Sequence, residues 1–244
     1  LIGAVLLLPV FGKDFGVKGI WMSIFHSISA FCNAGFDILG TTKNTFPSLL
    51  QYAGNALVNV VIMLLIIIGG IGFLTWEDVC TNTYHFRRYR LQSKIVLVTT
   101  AVLILLPSLF FFFWNFKNLA MEERLLASFF QAVTPRTAGF NTVDIGKMAE
   151  PAQTLIIILM LIGGSPSSTA GGMKTTTIAV LLLNAFATFR SKDTVSAFHR
   201  RIDNHVIRDA ATLLMLYVML FFGGGIAISM YEGLPLAECL YETA

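Results

Sequence analysis

Charge is what this chain has least of: only 13% of its 244 residues are Asp, Glu, Lys or Arg. The surface of a soluble domain needs a charged share nearer about a quarter, so a water-facing globular domain is excluded. With 55% hydrophobic residues and a strongly positive mean hydropathy, the chain reads as a membrane protein whose first partner is a lipid bilayer. Cysteine is scarce too. Cys32, Cys80 and Cys239 are odd in number, scattered and without a Cys-x-x-Cys pair, which argues against a disulfide framework and against a thiolate metal site. The net charge of +3 sits in short loops between apolar stretches and gives no ground for a nucleic-acid partner. An initiating Met and a signal-peptide pattern are also missing. Residues 1–11 read as the tail of a span, and the C-terminus stops inside another apolar run, so an internal piece of a longer polypeptide is expected.

What is present is a repeat. Residues 23–37 and 127–144 each hold an apolar run of roughly ten residues, too short to cross a bilayer, ending in a turn of small residues. The turns share Ala34-Gly35-Phe36 and Ala138-Gly139-Phe140, and overlaying the triplets also places Phe25 on Phe129. A longer apolar span follows each turn and ends in a glycine pair, Gly69-Gly70 or Gly163-Gly164. Short helix, glycine turn and long helix together read as a re-entrant pore loop, tolerated at membrane depth only where irregular backbone lines a watery cavity.

Between these units the spans can be placed. No charge occurs over residues 49–76, which predicts one tilted span. A polar return over Thr41 to Pro47 precedes it. The next span covers about 95–116, with a kink expected at Pro107, and another about 210–230. Nine Lys and Arg residues lie in two loops, 77–94 and 190–208, two spans apart. The positive-inside bias makes that side cytoplasmic, so both glycine turns open from the outer face. A third short amphipathic segment starts near Leu234.

A cation filter needs oxygen dipoles to replace the hydration shell. Glycine suits the turn because it reaches φ > 0, where successive carbonyls can be set to one side. The turns carry no carboxylate before Asp37 and Asp144. Neutral main-chain oxygens favour a monovalent ion over Ca²⁺ or Mg²⁺. Potassium is the natural candidate, with Na⁺ left open by this argument.

The second feature is a broken span. Gly163, Gly164 and Ser165 lead into Pro166; Ser167, Ser168, Thr169 and Ala170 follow; Gly171 and Gly172 precede Met173 and Lys174. One proline and four glycines cannot sit in a continuous helix, and discontinuous helices near mid-membrane commonly form ion or substrate sites. The segment is expected to cross the permeation path as a movable constriction. A pore-facing Lys174 would repel cations until displaced or paired; alternatively it snorkels inward while the glycines permit close packing. A phosphate loop is excluded because Met173 separates Gly172 from Lys174 and no strand precedes it. A serine nucleophile at Ser165, Ser167 or Ser168 lacks a histidine placed as its base: His85, His199 and His205 fall in the basic loops, and His26 reads as packed in the first short helix.

With the segments Ala-Phe-Cys-Asn-Ala-Gly-Phe-Asp, Thr-Pro-Arg-Thr-Ala-Gly-Phe-Asn and Gly-Gly-Ser-Pro-Ser-Ser-Thr-Ala-Gly-Gly-Met-Lys, the chain resembles the Trk/Ktr/HKT superfamily of potassium transporters, most of all the bacterial KtrB type. Trp76-Glu77-Asp78 and residues 239–244 fit the same pattern. The resemblance implies an all-α membrane protein of repeated membrane helix–pore loop–membrane helix units around a central pore. It makes 1–79 the second unit with filter turn 33–36, and 95–190 the third with filter turn 137–140 and broken helix 152–189. Residues 80–94 and 191–208 become cytoplasmic loops and 209–244 the start of a fourth unit. The first and fourth filter segments fall outside the chain. Asn33, Ala34, Gly35 and Phe36 match one filter segment, Thr137, Ala138, Gly139 and Phe140 another, and 163–174 the intramembrane gating loop. The resemblance further implies K⁺ uptake at the plasma membrane, often stimulated by Na⁺, with no covalently bound cofactor and no enzymatic activity. It also implies a homodimeric pore subunit beneath a cytosolic ring of nucleotide-binding regulatory subunits of the KtrA/TrkA-like type. The competing readings are a non-conducting structural or receptor-like subunit and, further off, an intramembrane serine hydrolase.

Overall fold

The computed structural model describes every residue except 43, 44, 46, 84 and 193. Part of the expected polar return and one residue in each basic loop therefore lie outside the described residues. Helices α1 (Ile2–Phe15) and α2 (Lys18–Phe31) pack on each other. Only Gly16-Val17 links them. The helices meet closely at Gly19, where a Cβ would fall 2.2 Å from the Phe11 carbonyl oxygen.

Helix α3 (Ala56–Gly70) opens on Asn55, whose side chain accepts from the Val58 N–H. The stretch expected as one span over 49–76 is not a single continuous helix. The helix stops after Gly70, and α4 (Phe73–Asn82) leaves it at 97°. Gly72 stands at the break with φ +90, and a Cβ there would lie 2.3 Å from the Pro166 carbonyl oxygen. Hydropathy alone is blind to such a bend.

Helix α5 (Leu91–Phe110) passes through Pro107 without a break and widens into a π-helical turn at Phe111–Asn115. Together Leu91–Asn115 is long and apolar enough to cross a membrane, as is α9 (Asn204–Glu232). Helix α6 (Met121–Val133) carries Glu122 and Glu123 in its first turn, where carboxylates suit the positive helix end. Helices α7 (Glu150–Leu161) and α8 (Thr175–Phe189) flank the glycine-rich break, and α10 (Leu236–Thr243) packs on α9. A small antiparallel hairpin, β1 (Ser196–Ala197) and β2 (Arg200–Arg201), stands within the second basic loop, where no strand was expected.

The short helices α2 and α6 each turn one face inward. At 1.5 Å per residue, their 14 and 13 residues reach about 20 Å, short of a ~30 Å hydrocarbon layer. Helix α3 packs against both, and Phe11, Ile62, Ile66, Phe130 and Phe140 form one buried cluster around them. In lipid, association rests on close packing and interhelical polar contacts rather than escape from water. Accordingly Ser23, His26 and Ser27 of α2, and Ser128 and Gln131 of α6, are buried while many large apolar side chains face outward. Beyond the turns the two repeats are stitched together: the Leu49 N–H donates to Asn141 O at 2.9 Å, and the Asn141 N–H donates to Ser48 Oγ at 2.9 Å.

Candidate functional site

Each short helix delivers its C-terminus to a turn, so the negative helix end faces the bend. In the first turn Asn33 has φ 50 and Gly35 φ 71; in the second Thr137 has φ 61 and Gly139 φ 80. Ala34 and Ala138, between them, are not left-handed. The same alternation of hand thus recurs in both copies.

The two bends touch backbone to backbone. A Cβ on Gly35 would lie 2.2 Å from Ala138 O and 3.0 Å from Gly139 Cα, and one on Gly139 would lie 3.4 Å from Gly35 Cα. Among the described residues, no donor meets the carbonyl oxygens of Asn33, Ala34, Gly35, Thr137, Ala138 or Gly139. The two phenylalanine carbonyls are occupied: Ser29 Oγ donates to Phe36 O at 2.8 Å, and Thr134 Oγ1 donates to Phe140 O at 2.5 Å. Each short helix therefore pins the far end of its own turn through a hydroxyl. No group of three His, Cys, Asp or Glu side chains suited to a metal occurs among the described residues. A cation at the turns would be held by neutral oxygens. The turn 137–139 also borders a cavity of about 410 Å³ shared with Ala34, Gln131, Ile156 and Tyr241.

The glycine-rich break folds back on itself beneath these bends. Ile162 pairs with Met173 in a parallel bridge, and the Gly164 N–H donates to Gly171 O at 3.1 Å. A Cβ on Gly163 would come within 2.1 Å of Gly171 O, and one on Gly164 within 2.2 Å of Ala170 Cβ, so the doubled chain requires glycine at both positions. Its outer edge docks on the end of α3: Ser165 N–H donates to Gly70 O at 2.9 Å and Thr169 N–H to Gly69 O at 3.3 Å. Phe73 N–H donates back to Ser167 O at 2.8 Å, and Pro166 O sits against Gly72.

Lys174 stands at the N-terminal end of α8, an unfavourable place for a cation, and its Nζ donates to Ala170 O at 2.8 Å. Ser165 Oγ pairs with Thr175 Oγ1 at 3.1 Å, while Ser168 Oγ accepts from Ala170 N–H at 3.3 Å. Ser167, left-handed at φ 58, offers its carbonyl to α4. No serine of the segment meets a histidine among the described residues. His26 is buried between Phe11 and Phe25 with Nδ1 2.7 Å from Met22 O, as a packed histidine should be.

Sequence reasoning missed three sets of contacts. The pair Gly69-Gly70, noticed only as a span ending, is the platform for the broken span. Arg136, immediately before the second bend, is buried, with its Nη2 3.4 Å from Thr100 Oγ1 and its Nε unpartnered. The third is the side chain of Thr169, which reaches the first bend at Phe31 O and Asn33 Oδ1, 2.9 and 3.0 Å away. A signal for the first was its recurrence beside the second glycine pair; the other two contacts span over a hundred residues or join different helices, and local patterns carry no trace of them.

Short helices ending in glycine bends, packed among apolar helices and a docked loop, define a multi-pass helical membrane protein. The family model of TrkH, a cation transport protein, matches residues 8–244, and the chain belongs to that family. Its relatives include the potassium/sodium uptake protein NtpJ of Enterococcus hirae, 40% identical over 96% of this chain and 52% of that protein. Another is the Ktr system potassium uptake protein B of Bacillus subtilis, 36% identical over 100% of this chain and 54% of that protein. The fold matches the crystal structure of the potassium transporter TrkH from Vibrio parahaemolyticus with a TM-score of 0.72 at 17% identity, over 93% of this chain and 49% of that one. The chain spans about half the length of the curated relatives it matches. The family is one of transporters, not enzymes.

Proposed function

We propose that this chain forms two of the filter segments and the gate of a K⁺ uptake pathway across the plasma membrane. The observation that carries the reading is the backbone contact of the two glycine bends, with six carbonyl oxygens there that meet no donor among the described residues. Asn33, Ala34 and Gly35, with Thr137, Ala138 and Gly139, supply oxygens to the dehydrated ion. Phe36 and Phe140 close each bend through carbonyls anchored to Ser29 and Thr134. Residues 163–174 are the gate, seated below the bends and tied to α3. The unit boundaries given by the family resemblance, with the basic loops cytoplasmic, complete the arrangement. The names of the relatives support K⁺ as cargo and Na⁺ as a second cation. Homodimerisation and a cytosolic nucleotide-binding regulatory ring follow from the resemblance.

The test is made in the full-length polypeptide carrying this chain. Crystals soaked in Rb⁺ or Tl⁺ should show anomalous density between residues 33–35 and 137–139, and the protein should restore K⁺ uptake to deficient cells. Shortening the loop within 163–172 should raise K⁺ flux; a fall in flux at unchanged protein level removes the gate. An assembled protein with neither flux nor cation density would favour a non-conducting subunit.

A further inference from the structure

The residues that open the two bends occupy equivalent places in the repeat, and both reach the docked loop. Asn33 and Thr137 are each left-handed, a conformation sterically costly for a β-branched residue such as Thr. Thr137 Oγ1 accepts from the Gly171 N–H at 3.0 Å, and a Cβ on Gly172 would lie 3.4 Å from the Thr137 methyl. Opposite it, Thr169 Oγ1 reaches Phe31 O and Asn33 Oδ1. The orientation of the Asn33 amide follows from its partners. Arg136 O can only accept, so Nδ2 faces it at 3.3 Å, leaving Oδ1 for the Thr169 hydroxyl. One amide thereby holds both the loop and the other bend.

We propose that Asn33 and Thr137 are positioning residues that couple the intramembrane loop to the ion site, so that cation occupancy and loop seating bias one another. This rests on the filter and gate reading above. Unseating the loop breaks the bonds to Thr137 and Asn33 together and releases both strained residues. A cation bound by the bends in their present shape therefore favours the seated loop. By linkage the seated loop favours the cation by the same factor.

Amide hydrogen exchange of the peptide covering 163–174 is compared in K⁺ and in N-methylglucamine, using the full-length protein in nanodiscs. Calorimetry of K⁺ binding runs in parallel. K⁺ should slow exchange in this peptide about fivefold, the equilibrium effect of one net hydrogen bond. Thr137→Val keeps the branched shape but removes the acceptor, and should abolish that K⁺ dependence; Thr137→Ser should retain it. Thr169→Val, outside the bends, should weaken K⁺ binding by a similar factor and serves if the first variant does not fold. A purely structural role would speed exchange equally in both salts. K⁺ binding with no effect on the loop overturns the coupling alone. Absence of K⁺ binding in the unaltered protein overturns the filter reading and the coupling with it.

Discussion

The two glycine bends share a backbone and differ in their surroundings. Both alternate left-handed and ordinary residues, both follow a short helix, and both end on a phenylalanine whose carbonyl takes a hydroxyl proton. Yet Phe140 is fully buried while Phe36 is 70% exposed, and the residue entering the second bend is a buried arginine where the first has an exposed cysteine. The backbone is thus repeated at the bends themselves. Side chains differ where each bend meets its own neighbours.

The largest expected effect separates the two glycines. Gly35→Ala places a methyl 2.2 Å from a backbone oxygen at φ 71 and should abolish K⁺ uptake in deficient cells. Gly139→Ala meets only ordinary contact at 3.4 Å. It bears the left-handed strain alone, about 1–2 kcal/mol, and should lower uptake roughly tenfold. Equal effects would erase the asymmetry.

Next come the hydroxyl anchors. Thr134→Val removes a buried 2.5 Å bond, leaves Phe140 O without a donor, and should destabilise the protein by about 1–3 kcal/mol. Ser29→Ala removes a part-buried bond rather than a buried one, and should cost about 1 kcal/mol or less. Thermal unfolding of the two variants in the same detergent ranks them; the reverse order would mean that the first bend is the more enclosed.

The smallest effect lies outside the bends. Asp144, bound to Lys147 at 2.8 Å and to the Gly146 N–H, has its carboxyl held below the ordinary aspartate range, chiefly by the Lys147 hydrogen bond, and Lys147 is raised in turn. The interaction is fully present above the ordinary aspartate pKa and is lost as pH falls through the depressed one. Because both groups are solvated, Asp144→Asn should leave unfolding at neutral pH and moderate salt unchanged. A clear shift would mean that the pair is less solvated than its exposure indicates.

Much of this was legible beforehand because the chemistry is local. Gly35 and Gly139 advertise φ > 0, the Gly163-Gly164 and Gly171-Gly172 pairs forbid a helix, and uncharged runs mark spans. The bend at Gly72 was not legible, since apolar residues continue straight through it to Trp76. The Pro166 carbonyl that Gly72 meets lies far along the chain. Nor could local patterns reveal what Arg136 and Thr169 touch, or that a hairpin would turn on left-handed Phe198 and His199, at φ 49 and 63.

The docking of the broken span on Gly69 and Gly70 has a thermodynamic corollary. Those carbonyls belong to the last turn of a helix and have no acceptor role within it; the amides of Thr169 and Ser165 satisfy them. Should that segment swing aside, both oxygens would lose these donors and require others. Donors from water or from neighbouring side chains have to arrive as the segment departs, which couples any displacement to a change in its surroundings.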